Sequence, residues 1–505
     1  MDFQQLLLAL LPDLLVVVAL FAALGVDYSR LRGSRLAKRY ELACQISAAG
    51  LIAGLAVLVL QIAGTMPVME STADGQLVLN TGTLTLKALL YAMGLGVLPL
   101  AKRDQITPQV SEYFALLLLA TLGMGFVVTS RNLLGAFVAL ELVSLSLYAM
   151  TVLNQARRAS AEAALKYLTF GAVSSGFLLF GLSYLYGATE QLDLTQMTGL
   201  QHSPMLVLAY LLIFVGLGFK LALAPFHLWA PDVYQNAPTP VAGWIGSGSK
   251  IAAAALLIAL LQPVSDAPEL KEALIPALAA LAVLSMVVGN LGALRQTNLK
   301  RLLAYSAIAN AGYLLVGVVA FSAAGNTSVI FYILVYSLAS LGAFGVVAVL
   351  TDTLGRDAEI NDFNGCWKTT PVLAVAFLVF VLSLAGIPPL AGFFGKFYLF
   401  FAAIEAAPEV TSWHGGFYWL VAFALIMSVV SLYYYLRVLK AFLVAPSDDG
   451  KAASIAPIKI RWAAGVTLFL LAIAVLALGL WPEPLLKLLS DLPPPGQALD
   501  LAQLI

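Results

Sequence analysis

Lys87, Lys166, Lys220, Lys250 and Lys396 each fall inside a long apolar run, as do Asp13 and Glu141, while Glu405 closes such a run. A charged side chain at the centre of a membrane helix costs about 2.5–3.5 kcal/mol on insertion scales, so several in one chain imply a use. All five cations are lysine and none is arginine. A desolvated lysine can load and unload a proton, whereas arginine keeps its proton in any protein setting. The residue choice therefore points to proton traffic ahead of permanent ion pairing. His227 adds an imidazole, whose ordinary pKa of about 6.5 suits the same traffic.

Each of these residues also has a plainer reading. Lys87 stands near the start of its run, from which its stem can snorkel outward. Asp13 follows Pro12 and Glu405 sits at a run's end, which suits interfacial or structural roles for both. Glu141 has no basic residue three or four positions away, so its partner must come from another helix. Lys166 is the nearest candidate in sequence, although Glu162 lies four residues before it on the same helix, a spacing that also pairs well. Lys220 and Lys250 have no acidic residue within a helical turn. His227 is either a hydrogen-bonded structural residue or a proton carrier. Cys44 and Cys366 lie far apart and outside any metal-ligand spacing, which supports neither a disulfide framework nor an iron–sulfur site.

The elements that hold these side chains follow from composition. The 505 residues are 61% hydrophobic and 11% charged, against about 25% charged in an ordinary soluble domain. This is the composition of an integral membrane protein, with no polar block long enough to fold alone. The formal charge is zero, so nothing points to nucleic acid. A crossing helix needs about 20 apolar residues, and the chain divides into about fourteen such stretches, from 6–26 to 462–481. The first is not read as a signal peptide, because residues 1–5 hold no basic residue and thirteen more stretches follow. Basic residues accumulate in cytoplasmic loops. With fourteen spans and the first loop inside, nineteen of the 27 Lys and Arg fall in inside loops and three (Arg131, Lys271, Lys487) fall outside, leaving the five buried lysines. Both termini are then expected outside.

Two spans are interrupted by proline. Span seven runs Gly218-Phe-Lys220-Leu-Ala-Leu-Ala-Pro225-Phe-His227-Leu-Trp-Ala-Pro231, and span twelve runs Ser383-Leu-Ala-Gly-Ile-Pro388-Pro389-Leu-Ala-Gly-Phe-Phe-Gly-Lys396. Proline removes a helical donor and clashes with the preceding turn, freeing backbone groups that only a protein-lined, wettable site can satisfy. A lysine lies within eight residues of each break. The two breaks are five spans apart. Because five is odd, a five-span unit repeated at that offset is upside down relative to its first copy. The expected organisation is therefore residues 1–111 as three N-terminal helices, 112–262 and 271–445 as two inverted five-helix repeats with one discontinuous helix each, and 446–505 as the last helix and tail. The plainer alternative is two kinks without a repeat.

These motifs together resemble one family. Phe226-His-Leu-Trp-Ala-Pro-Asp-Val-Tyr234 with Ala-Pro-Thr-Pro-Val after it, Ser247-Gly-Ser-Lys250, Leu299-Lys300-Arg-Leu-Leu-Ala-Tyr-Ser306, and Ser-Leu-Ala-Gly-Ile-Pro followed by Gly-Phe-Phe-Gly-Lys396-Phe are similar to the antiporter-like subunits of respiratory complex I, most closely subunit N. The resemblance spans nearly the whole chain. It implies that Glu141 and Lys166 form a control pair, that Lys220 is a proton carrier at the broken helix, that Lys250 links the halves, and that Lys396 serves the second half-channel. Subunit L is longer, with a lateral helix, and subunit M usually carries glutamate where Lys396 stands. Asn310 departs from relatives that carry histidine there. Lys300 could act near that channel or simply orient span ten.

The function expected from the resemblance is a proton-translocating membrane-arm subunit of NADH:quinone oxidoreductase, in a bacterial inner membrane. It implies no cofactor in this chain, with NADH, FMN, iron–sulfur clusters and quinone handled by partner subunits. The implied partners are subunits of the M, K, J, L, A and H types, and lipid. Two other classes share the fold: a cation/proton antiporter of the Mrp type, which needs no electron donor, and a membrane subunit of a related hydrogenase with the lysines as packing remnants.

Overall fold

Helix after helix starts on a polar side chain that accepts a backbone N–H left free by the first turn. Asn80 accepts from Thr83, Asn132 from Leu134 and Gly135, Ser203 from Leu206, Asn298 from Arg301 and Ser322 from Gly325. These caps fix where five of the spans begin. The computed structural model describes residues 3–28, 35–66, 71–72, 76–101, 107–154, 157–364, 366–406, 416–443 and 460–490. Of the basic residues that orient the spans, Arg30, Arg32, Lys102, Arg103, Lys451 and Lys459 lie outside the described residues, as do 446–459 and 491–505 of the C-terminal segment.

Among the described residues, thirteen helices are long and apolar enough to cross a membrane, one fewer than the fourteen stretches expected. The difference falls on span twelve, which is split into Pro371–Ala385 and Ala391–Ala406. Neither half has the length to cross alone. Spans one to six are Phe3–Tyr28, Leu36–Ile62, Thr81–Val97, Val110–Thr129, Leu133–Val152 and Arg158–Thr189. Span seven is Pro204–Leu221, followed after a turn by the short helix Ala230–Asn236. Span eight is Thr239–Gly246 and Gly248–Ser265, interrupted at Ser247. Spans nine to eleven are Pro268–Leu294, Leu299–Val318 and Ala323–Leu354, and spans thirteen and fourteen are Tyr418–Leu443 and Trp462–Leu480. Spans eight, ten and eleven are almost wholly enclosed, whereas spans one, two, thirteen and fourteen keep broad exposed surfaces. Among the described residues, the exception to helix is a two-residue antiparallel ribbon, Ser71–Thr72 against Leu77–Val78.

Both expected breaks are present and end alike. Ala222 and Gly386 adopt left-handed conformations at the ends of the first half-helices. Each donates its N–H to the residues three and four before it, and the following N–H of Leu223 or Ile387 reaches back to Gly218 or Leu382. This is the C-terminal cap by which helices satisfy their last carbonyls. At φ 82° Gly386 occupies backbone space that costs other residues roughly 1–2 kcal/mol. Gly392 is needed for a different reason: a Cβ there would sit 1.8 Å from the Ser383 carbonyl, so only glycine lets the half-helices of span twelve approach.

Candidate proton-conducting axis

Glu141 and Ser144 are three residues apart on span five and so share one face. Lys220, in the last turn of the first half of span seven, meets that face. Its Nζ lies 3.8 Å from Glu141 Oε1 and hydrogen-bonds Ser144 Oγ. Ser175 of span six donates to Glu141 Oε1 at 2.6 Å. The lysine side chain is 9% exposed and the glutamate 27%. A cation at a helix C-terminus also meets the negative end of the helix dipole. The break thus supplies a favourable seat for Lys220, and the indole N–H of Trp229 takes the Phe219 carbonyl at 3.1 Å.

The pairing expected between Glu141 and Lys166 is not the one formed. Lys166 binds Glu162 at 2.7 Å and Asp232 at 2.8 Å, and Asp232 also receives Arg301 at 2.7 Å. The reason is position. Lys166 sits in the N-terminal third of its helix with a 40% exposed side chain, within reach of the short helix that follows the break. Its own-helix Glu162 partner was legible from the i,i+4 spacing; Asp232 was not.

Lys250 is buried three residues after the interruption of span eight. Its ammonium donates to the Ala307 carbonyl of span ten at 2.9 Å and lies 5.5 Å from the Tyr336 ring centre. Lys396 stands on the second half of span twelve and reaches back over the break. It donates to the carbonyls of Leu384 at 3.4 Å and Ala385 at 3.1 Å, and to Ser428 of span thirteen at 3.2 Å, with the Tyr313 ring centre 4.7 Å away.

A buried chain of hydroxyls and amides that the sequence did not announce runs from Tyr332 of span eleven to Tyr313 beside Lys396. Tyr332 donates to Asn310 Oδ1 at 2.7 Å, and Asn310 Nδ2 reaches the Tyr435 hydroxyl at 3.4 Å. Tyr435 contacts Ser306 Oγ at 2.5 Å, and its ring centre lies 4.5 Å from that of Tyr434. Tyr434 donates to Asn290 Oδ1 at 3.2 Å, and Asn290 donates to Tyr313 at 3.1 Å, beside Lys396. Asn310 is the middle of this chain.

Lys300 is enclosed and does more than mark a helix end. It binds Asp357 at 3.1 Å and the Ala237 carbonyl at 3.3 Å, and Arg157 closes on the same carboxylate with two hydrogen bonds of 3.1 and 2.8 Å. Burial pushes the Asp357 carboxyl up, but the Arg157 hydrogen bonds and the Lys300 and Arg157 charges outweigh it and hold the group below its ordinary 3.8. A carboxyl held low contributes stability that is present above its ordinary value and is lost as pH falls through its lower folded value. In a pH series of thermal unfolding, Asp357→Asn is therefore expected to be the less stable form at neutral pH, with the gap to wild type closing in acid.

His227 is half-buried in the turn of span seven. Glu405 is exposed at the end of span twelve. Lys87, expected to snorkel, is instead 1% exposed and bound to Asp13 at 2.6 Å, with Tyr91 donating to the other carboxylate oxygen at 2.7 Å. The only sequence hint was that both lie within apolar runs. No group of three or more metal-ligating side chains occurs among the described residues.

Residues 130–431, which include both breaks and the axis apart from Tyr434 and Tyr435, match the family described as NADH:quinone oxidoreductase/Mrp antiporter, TM. The NADH-quinone oxidoreductase subunit N 2 of Acidobacterium capsulatum is 44% identical over 96% of this chain and 99% of that protein. Among solved structures, a chain of respiratory complex I from Thermus thermophilus with bound Aureothin superposes at a TM-score of 0.75 with 33% identity, over 94% of this chain and 98% of the other. A chain of the Mrp complex from Dietzia sp. superposes at 0.77 over 96% of each chain, but at 23% identity it shares the fold alone.

Proposed function

The chain belongs to the subunit N family of NADH-quinone oxidoreductase, within the wider NADH:quinone oxidoreductase/Mrp antiporter family, and is a membrane-arm proton-translocating subunit; from that premise we propose which of its residues move the proton. The observation that carries the reading is the set of polar side chains from Glu141 to Lys396, most of them buried, inside a bundle that is otherwise apolar.

In this reading Lys220 is the loading site. Glu141 holds the ammonium charged while it is close, and a shift in their separation releases a proton to Lys250, on the neighbouring span eight. A charge step between such neighbours moves a pKa by about 1–3 units, enough to switch occupancy near neutral pH. From Lys250 the proton reaches Lys396 along Tyr332, Asn310, Tyr435, Tyr434, Asn290 and Tyr313. Lys166 acts through Asp232 and Arg301, which tie span six to span ten. Lys300 and Asp357 hold the entrance on the same face. His227, in the turn of the first break, lies beside this route as a second acceptor. The 112–262 and 271–445 units are inverted repeats, and the matching caps at Ala222 and Gly386 support that relation. NADH, FMN, iron–sulfur clusters and quinone belong to partner subunits, with chains of the M, K, J, L, A and H types along the arm. The setting is a bacterial inner membrane with both termini periplasmic. Identity of 44% to a subunit N, against 23% to an Mrp chain, favours this reading over cation/proton exchange.

The tyrosine chain gives the test. Removing the Tyr435 hydroxyl strands buried partners on Ser306 and Asn310, a loss of about 1–3 kcal/mol. Tyr435→Phe is expected to slow proton translocation about ten-fold in the assembled complex, while Tyr433→Phe, whose side chain is 65% exposed, leaves it unchanged. Equal rates in the two variants would remove the tyrosines from the path.

A further inference from the structure

A lengthwise groove lies between spans two, three and fourteen, floored by Leu338 of span eleven, with a volume of about 800 Å³. It belongs to neither the axis nor the breaks. Its walls are apolar residues such as Ile52, Leu89, Met93 and Leu470, and Tyr40, Gln45 and Arg461 lie at one end, with the Thr467 hydroxyl further along the wall. Arg461 is exposed and, among the described residues, is the one charged residue lining the groove. Trp462, 83% exposed, stands beside it. Tryptophan next to a cationic residue at a helix start is the usual marker of the membrane–water boundary.

The groove's length selects its occupant. Lining residues run from Arg461 to Leu471 on span fourteen, from Tyr40 to Ile52 on span two and from Leu89 to Ala101 on span three. At 1.5 Å per residue these distances are about 15–18 Å, roughly half of the ~30 Å hydrocarbon thickness of a bilayer. The slot is one leaflet deep, with its cationic end at the boundary. It lies on the face that carries most of the basic loop residues, where anionic lipids concentrate if that face is cytoplasmic. We propose that this groove is a binding site for one anionic phospholipid of the adjacent leaflet, its phosphate on Arg461 and an acyl chain laid between spans two, three and fourteen. A protein helix is the poorer fit, because it would bring its own cross-bilayer length to a slot that stops halfway.

The test uses the whole complex, reconstituted in phosphatidylcholine vesicles with phosphatidylglycerol bearing a photoactivatable acyl chain. Expected are cross-links to peptides of spans two, three and fourteen, competed by unlabelled phosphatidylglycerol and not by phosphatidylcholine. Arg461→Gln is expected to lower labelling about five-fold, the effect of one cationic contact with an anionic headgroup. Ala92→Trp, at an exposed position in the groove wall, fills the slot and is expected to abolish labelling per assembled complex. Labelling spread evenly around the bundle, labelling unchanged in both variants, or cross-links from a photoreactive residue at position 92 to another protein segment would overturn the proposal.

Discussion

Lys220→Met is expected to assemble into the complex and to reduce proton translocation through this chain about 100-fold, the usual contribution of a positioned proton-transfer group. The methionine keeps most of the volume of a 9% exposed side chain and removes its proton. Electron transfer from NADH to quinone should slow with it, because the proposed coupling runs through this carrier. Lys220→Arg separates charge from proton release. It keeps the cation near Glu141 and Ser144, but a guanidinium does not give up its proton. It is expected to fail as completely as methionine. Normal turnover by Lys220→Arg would mean that Lys220 serves only as a counter-charge to Glu141.

The largest effect on stability is expected at Asp13. Its carboxylate is 4% exposed and holds Lys87, itself 1% exposed, and Tyr91. Breaking a buried pair by deleting one partner costs about 3–5 kcal/mol, whereas replacing both by apolar groups of similar size is often neutral. Asp13→Ala should therefore sharply lower the amount of assembled complex and its thermal midpoint. The double change of Asp13→Leu with Lys87→Met should restore most of both. Because this pair lies among spans one and three, outside the proton axis, the rescued double variant should also pump normally. A double variant that assembles but does not pump would place Asp13 and Lys87 on the proton route.

The same pair shows what a single sequence leaves unread. Hydropathy located the spans, and Pro225 and the Pro388–Pro389 pair located the two breaks, because both signals are local in the chain. Burial of Lys220, Lys250 and Lys396 followed from the same local runs. Partner choice did not, since it depends on how helices rotate and which neighbours they meet. Asp13 and Lys87 are 74 residues apart, and the position of Lys87 near a helix start reads equally well as a snorkelling side chain. Glu141 meets Lys220 and not Lys166 because span seven presents its broken end to span five. Asp232 and Asp357 look like loop acids until Arg301, Lys166, Lys300 and Arg157 are seen around them. Tyr434 and Tyr435 fall in a tyrosine run of the kind that marks membrane interfaces, and only the packing of span thirteen against spans nine and ten turns them inward.

The most direct test of proton movement through this chain is the number of protons translocated per NADH oxidised, measured in sealed vesicles containing the reconstituted complex. The comparison is wild type against a variant carrying both Lys220→Met and Lys396→Met. A lower ratio in the double variant at whatever turnover remains, with Tyr433→Phe at the wild-type ratio, is the predicted result. An unchanged ratio at full coupled turnover would contradict it.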